Sequence, residues 1–341
     1  MIQYCNTITP QEKNMSTKNI TSYRLKLTVL ACSLALFGCV NTTSETSTHE
    51  TSMASESPLA IAGTPASKFD LLGWTISVPV DSDGNGKSDQ IKEKELAAGY
   101  SDENFFYLTE DGGMVFKAPI KGAKTSKNTT YTRSELREMM RRGNTQHKTK
   151  GVGGNNWVFS SSPAENQQAA GGVDGTLDAT LKVDHVTTTG VNWQTGRVII
   201  GQIHANDDEP IRLYYRKLPN HQKGSIYFAH EPRVGDEQWI DMIGNSLPNY
   251  WNQDAIPAEP EDGIELGEKF SYRINVSGNT LAVTLMRPGK EDIMKEVDMT
   301  NSKFDEAGQY MYFKAGVYNQ NKSGEPNDYV QATFYNLEVN H

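Results

Sequence analysis

From residue 105 to the end of the chain, apolar side chains recur at every second position in short runs, with turn-forming residues between the runs. A period of two sends one row of side chains into a core and the other to the opposite face, as in a half-buried β-strand. The clearest case is Phe270-Ser-Tyr-Arg-Ile-Asn-Val276 followed by Thr280-Leu-Ala-Val-Thr-Leu-Met286. With Ser277-Gly-Asn279 between them, these two runs predict a hairpin. Ile211 to Leu218 and Gly224 to His230 alternate in the same way on either side of Pro219-Asn220. Further strands are predicted over Phe105 to Leu108, Gly113 to Lys117, Thr176 to Val186, Arg197 to His204 and Val330 to Val339. Tyr131 to Arg141 reads as strand or as helix, because its Glu, Leu, Arg and Met favour a helix. Gly143 to Asn156 and the proline-rich Asn245 to Gly263 are predicted loops, the first of a length that is often functional. Many short strands, no internal repeat and no second composition regime predict one all-β domain, a sandwich or jelly roll.

The N-terminal part breaks this pattern. Lys18, Arg24 and Lys26 precede an apolar run from Leu27 to Phe37, the length of a signal-peptide core and too short to span a bilayer. The run ends in Leu36-Phe37-Gly38-Cys39, which resembles the lipobox of bacterial lipoproteins. That resemblance implies cleavage before Cys39 and lipidation of its thiol. Val40 in place of Asp after the cysteine implies sorting to the outer membrane of a Gram-negative bacterium. Residues 1–38 are thus expected to be a signal peptide, 39–66 a Ser/Thr-rich tether and 67–341 the folded domain. The three cysteines, Cys5, Cys32 and Cys39, all lie outside that domain, whose core must therefore hold without disulfides. Loss of residues 1–38 removes four basic residues and one acidic residue, taking the net charge from -9 to -12. So acidic a body excludes nucleic acid as a partner, and contact with a membrane is expected only through the lipid on Cys39.

Asp81-Ser-Asp83-Gly-Asn85-Gly86-Lys-Ser-Asp89 places oxygen ligands at the first, third, fifth and ninth positions of a calcium-type loop, with Gly at the sixth. Lys92 occupies the twelfth position, where such a loop needs a bidentate Glu. A Gly/Asp turn leading into a short helix at Ile91 to Leu96 is the expected reading, with calcium on Asp81, Asp83, Asn85 and Asp89 as the alternative. No cofactor is expected to be required.

Chemistry enters with three strands whose polar rows match. In Tyr310 to Asn321, Met311, Phe313, Ala315 and Val317 form one row. Tyr312, Lys314, Gly316, Tyr318 and Gln320 form the other, where Gly316 leaves a gap for a close approach to the backbone. In Arg133-Ser-Glu135-Leu-Arg137 the two arginines and Glu135 share a face if the segment is a strand, with Arg133 and Arg137 about 13 Å apart. Glu135 is placed to hold both guanidiniums. Ile199-Ile-Gly-Gln202-Ile203-His204 ends with a carboxamide and an imidazole on one face. Together the rows supply cations, a neutral donor, and two groups able to carry protons. Arg and Gln holding a substrate carboxylate acidify the proton next to it, and His and Tyr then serve as base and acid. This describes β-elimination from a uronic-acid polymer. A glycoside hydrolase would need two flanking carboxylic acids, and Glu135 is the only carboxylate in these rows. A non-catalytic carbohydrate-binding lipoprotein is the other alternative.

In this order, Arg-Ser-Glu-Leu-Arg, Gln-Ile-His and Tyr-Phe-Lys-Ala-Gly-Val-Tyr-Asn-Gln resemble the three signature segments of the alginate lyases of polysaccharide lyase family 7. The resemblance covers about residue 69 onward. It implies a β-jelly roll of two antiparallel sheets with a substrate cleft on the concave one. It also implies that Arg133 and Gln202 neutralise the C5 carboxylate, with His204 as base and Tyr318 as acid, or Tyr318 as both. Glu135, Arg137, Lys314 and Gln320 are expected to bind neighbouring sugars of an alginate or oligo-uronate substrate. Ile203, the Ile of Gln-Ile-His, implies a preference for guluronate or mixed blocks.

Overall fold

A computed structural model describes residues 62–244 and 256–341. All of these fall in one compact unit, Ser55–His341. The expected signal sequence, Cys39, almost all of the tether and residues 245–255 of the proline-rich loop lie outside the described residues. Among the described residues no helix is long and apolar enough to cross a membrane.

Two antiparallel sheets carry the chain. The first runs in the order β12 (Gln238–Ile243), β11 (Lys223–His230), β10 (Ile211–Arg216), β9 (Arg197–His204), β17 (Tyr312–Asn319), β5 (Arg133–Glu138), β1 (Trp74–Val78) and β2 (Asp89–Ile91), with β13 (Ile264–Glu265) added to β11. The second runs β16 (Ile293–Asp298), β15 (Thr280–Met286), β14 (Phe270–Ser277), β8 (Gly175–His185), β18 (Tyr329–Asn340), β4 (Met114–Pro119) and β3 (Phe106–Leu108). A short parallel pair, β6 (Trp157–Val158) with β7 (Gly172–Val173), and two helices, α1 (Glu93–Ala97) and α2 (Ala164–Ala169), complete the described elements apart from a single 3-10 turn. This is the two-sheet jelly-roll sandwich that the strand pattern predicts. The predicted hairpin forms as β14 and β15, in register from Ser271 with Met286 to Ser277 with Thr280.

The two sheets bury their strands differently. In β8 and β14 alternate residues are buried and the others partly exposed, so one face is wet. In β9, β11 and β17 almost every residue is buried, because the outer face of this sheet is covered as well, by packed polar side chains and by a cluster of Ile199, Tyr214, Tyr227 and Ala229. The segment Arg133–Glu138, ambiguous in sequence, is a strand because Ser134, Leu136 and Glu138 are buried on its inner side while its ladder is filled by β1 and β17. Helix propensity of a few tenths of a kcal/mol per residue gives way to that pairing.

A bulge in β9 sets the phase of the chemistry. Against β10, Leu213 pairs with Gly201 but the next residue, Tyr214, pairs with Ile199, which leaves Ile200 unpaired. Ile200 and Gly201 consequently both face the core, and Gln202 and His204 come onto the same outer face as Ile199. The Tyr272 hydroxyl of β14 donates to the freed Ile200 carbonyl at 2.9 Å. A Cβ on Gly201 would lie 2.6 Å from that hydroxyl oxygen, so glycine is required there.

Candidate active site

The order β9-β17-β5 brings the three polar rows side by side. In the ladders, Tyr318 stands opposite Arg133, Lys314 lies between Arg137 and Gln202, and Tyr312 stands opposite His204. Arg133, Gln202, His204, Tyr318 and Gln320 line one cleft of about 240 Å³. Gly316 is opposite Glu135 and has φ +132°. A Cβ there would meet the Ser134 carbonyl at 2.6 Å, so the backbone conformation and the neighbouring strand, rather than an opening toward substrate, require the glycine.

Glu135 is the hub beneath this cleft. It is 3 % exposed, and its carboxylate accepts from Gln202 Nε2, Lys314 Nζ and, at 2.8 Å, Arg133 Nη1. Burial works to raise its pKa, but the charges of Lys314 and Arg133 outweigh it and hold the carboxyl below the usual range. Lys314 is pushed down to about 8, first by burial and then by the charge of Arg133. Two cations and one anion leave the floor with a net positive charge in an acidic protein. One amide N–H of Gln202 is fixed by Glu135, which orients the rest of the carboxamide. Arg133 Nε is buried with no hydrogen-bond partner.

One sequence expectation is corrected here, since Glu135 does not hold Arg137. Arg137 Nη2 donates to the Thr149 carbonyl at 2.7 Å and to Asn156 Oδ1 at 3.3 Å, and its guanidinium lies 3.9 Å from the Tyr312 ring centre. The physical reason is competition. Lys314 and Arg133 already occupy the Glu135 carboxylate, while the long loop 143–156 presents the Thr149 carbonyl and the Asn156 side-chain oxygen to Arg137. This end of the floor opens into a second hollow of about 420 Å³, lined by Lys92, Arg137, Arg141 and Lys150 among others. Gln320 lines the main cleft with its amide nitrogen on the Asn319 carbonyl at 3.2 Å.

His204 and Tyr318 are set in complementary protonation states. His204 Nδ1 lies 2.5 Å from the Ala205 carbonyl, which assigns the ring proton to Nδ1 and leaves the lone pair on Nε2. The ring stacks on Tyr312 with centres 5.1 Å apart. Burial, and then the charge of Lys314, push its pKa down to about 4, so it is neutral at physiological pH. The Tyr318 pKa is raised, because burial outweighs the Arg133 guanidinium 3.7 Å from its ring centre, and its hydroxyl keeps the proton.

Sequence reading missed three contributors. Glu209, in the turn between β9 and β10, brings Oε1 to 3.3 Å from His204 Nε2. It is hidden in sequence because Asp207-Asp-Glu-Pro210 looks like any acidic turn. Arg212 and Tyr131 also line the cleft. Glu209 is a carboxylate beside the site that the comparison with glycoside hydrolases did not include.

Away from the cleft, ligand oxygens of Asp81, Asp83 and Asp89 lie within 4.8 Å of one another. The same carboxylates accept loop N–H groups. Asp81 caps Asn85 and Gly86 at 2.9 Å each, and Asp89 Oδ1 accepts from Ser82 N at 3.1 Å. The residue donors thus fit a cation loop and also close the turn by themselves.

Known proteins share this architecture. The alginate lyase family model matches residues 69–341. The curated alginate lyase of Klebsiella pneumoniae is 71 % identical over 279 residues, covering 81 % of this chain and 91 % of that protein. The crystal structure of the alginate lyase from Klebsiella pneumoniae superposes with a TM-score of 0.81 at 70 % identity, over 82 % of this chain and 98 % of the other. An alginate lyase of Pseudomonas aeruginosa gives 0.58 at 27 % identity, over 80 % and 100 %. An exolytic family 7 alginate lyase of Zobellia galactanivorans, at 24 % identity and 0.58 over 79 % and 95 %, shares the fold. With a family match that runs the length of the sandwich and a relative this similar over most of both proteins, the chain belongs to the alginate lyases of polysaccharide lyase family 7.

Proposed function

We propose that this alginate lyase cuts its polymer by β-elimination at guluronate or mixed blocks, leaving an unsaturated uronate at the new non-reducing end. Arg133 and Gln202 hold the C5 carboxylate and meet the charge that builds on it as the proton leaves. His204 Nε2 takes the C5 proton. The electron pair of the broken C5–H bond forms C4=C5, the C4–O4 bond breaks, and O4 takes the Tyr318 proton. A carboxylate held by Arg133 and Gln202 also offsets the charges of Arg133 and Lys314 that depress His204, so bound substrate strengthens the base.

The observation that carries this reading is the pairing, in one cleft, of a neutral imidazole with an open nitrogen and a tyrosine that keeps its proton. Separate base and acid suit guluronate. In mannuronate C5 has the opposite configuration, and Tyr318 then serves as both. Lys314 and Gln320 contact adjoining units, Glu135 orients the groups that touch them, and Arg137 leads the chain toward Lys92 and Lys150. The test is to incubate the folded domain with separate guluronate and mannuronate blocks and follow the ultraviolet absorbance of the unsaturated product. Reducing ends without that chromophore would sink elimination, and faster release from mannuronate would sink the block preference.

The same proposal gives the domain its address. Residues 1–38 direct export, Cys39 carries the lipid, 39–66 form the tether, and 67–341 face the periplasm or the cell exterior from the outer membrane. Support comes from the apolar run ending in Gly38-Cys39. Cys39→Ser should move the protein from the membrane fraction to the soluble one, and unchanged fractionation would refute the anchor.

A further inference from the structure

The turn between β9 and β10 brings to the cleft a carboxyl that the elimination chemistry above leaves unused. Glu209 Oε1 is 3.3 Å from His204 Nε2, longer than the 2.7–2.9 Å of a charge-assisted bond, so it flanks the nitrogen without capping it. Nδ1 is committed to the Ala205 carbonyl, which leaves Nε2 as the one ring nitrogen able to receive a proton from the cleft. Glu209 does not stand alone. Its backbone carbonyl accepts from Glu231 N at 3.1 Å, which sets the two acidic residues side by side. Arg212, from β10, places Nη2 3.2 Å from Glu231 Oε2 and Nη1 4.0 Å from Glu209 Oε2, and it also pairs with Glu237. From β17, Lys314 adds a further positive influence on Glu209.

Two acidic side chains held this close resist carrying two charges at once. Burial first, and then Glu231, push Glu209 up to about 7, while Glu231 stays below the usual carboxylate range. Glu209 therefore changes charge in the working range of an enzyme, beside the nitrogen that acts as base. A proton arriving on Nε2 creates a cation near Lys314 and Arg133, two charges that already oppose it. A carboxylate 3.3 Å from Nε2 offsets that cost.

We propose that Glu209 is a positioning residue for the elimination: its carboxylate steadies the His204 ring and supplies the counter-charge to the imidazolium formed when His204 takes the C5 proton. This rests on His204 being the base. His204 is then a stronger base once Glu209 has ionised, and the acid limb of the rate profile belongs to Glu209.

The experiment compares the wild-type protein with Glu209→Gln and Glu231→Gln, on guluronate blocks from pH 5 to 9 and by nitrogen NMR of the His204 ring without substrate. Glu209→Gln should lower kcat about tenfold or more with KM within about twofold, and abolish the acid limb near pH 7. Glu231→Gln should keep the limb but move it to lower pH, because Glu209 loses the neighbour that raises it. In the ring spectrum, Nε2 should show an inflection near pH 7 that is absent in Glu209→Gln and displaced downward in Glu231→Gln. A wild-type rate profile in Glu209→Gln, a change confined to KM, or an Nε2 inflection that survives the substitution overturns the proposal. If the wild-type protein yields no unsaturated product, the elimination reading fails, while the ring spectrum still decides whether Glu209 acts on His204. Should Glu209→Gln not fold, the displacement in Glu231→Gln carries the test.

Discussion

Replacing Glu135 by Gln should damage this protein more than its single carboxylate suggests. The residue is almost fully buried and accepts from Arg133, Lys314 and Gln202, so the neutral amide leaves one guanidinium and one ammonium beneath the cleft without their counter-charge. Breaking a buried pair from one side costs about 3–5 kcal/mol. At roughly 2–4 °C per kcal/mol for a domain near this size, the melting temperature should fall by about 6–20 °C. The companion variant, Glu135→Gln with Lys314→Met, removes the second buried charge and fills its volume with an apolar chain. It should recover about half or more of that loss, because a buried pair replaced as a whole is often close to neutral. Neither variant should be active, since a neutral amide with one acceptor oxygen replaces the carboxylate that holds Gln202 and Arg133 together. The assay is thermal unfolding by circular dichroism, with ultraviolet detection of product alongside. A single variant that melts within about 2 °C of the wild type, or a double variant no more stable than the single, would refute the account of Glu135 as a charge hub.

Other outcomes follow from the same site. Tyr318→Phe keeps the ring beneath Arg133 but loses the hydroxyl, so kcat should fall about 10²- to 10⁴-fold with KM little changed, and a loss of under tenfold would remove Tyr318 as the acid. For His204 the folded pKa is depressed from 6.5 to about 4, so the unfolded chain binds more protons between these values and stability is lost as pH falls through that window. The group contributes about 3 kcal/mol of that loss, so His204→Asn should lose less stability than the wild type on going from pH 6.5 to 4; equal losses by chemical denaturation at both pH values would contradict it. Chelation with EDTA should leave the lyase rate unchanged, because Asp81 and Asp89 already cap loop N–H groups and Lys92 bonds Gln90 instead of ligating; a rate that falls and returns with calcium would overturn this.

Much of the cleft could be read from spacing because a strand repeats every two residues. Once Arg133, Gln202 and Tyr318 were placed on strands, their neighbours Glu135, His204 and Lys314 shared their faces. Spacing could not say that β17 lies between β5 and β9, and motif order alone left that pairing to the resemblance. Nor could it find the bulge. A strict count of two from Ile199 sends Gln202 and His204 into the core, and only the unpaired Ile200, with its carbonyl answered by Tyr272 from the other sheet, turns them outward. The partners of Arg137 escape the sequence for a related reason, since two of them come from the loop 143–156, whose path no periodicity describes.

The less legible part of the site is the part that sets its chemistry. Residue types name an imidazole and a phenol, but free imidazole near 6.5 would be partly charged where a base must be neutral. Here burial, with Lys314 and Arg133 close by, clears that proton from His204, and burial keeps the Tyr318 proton in place. Such depression makes His204 a weak base in the empty cleft. In the proposed elimination a substrate carboxylate held by Arg133 and Gln202 would remove part of the opposition, and Glu209, 3.3 Å from Nε2, would remove more. On that reading Arg133 would serve twice, as an anchor for the anionic sugar and as one of two charges braking the base until a seated carboxylate and Glu209 together offset them.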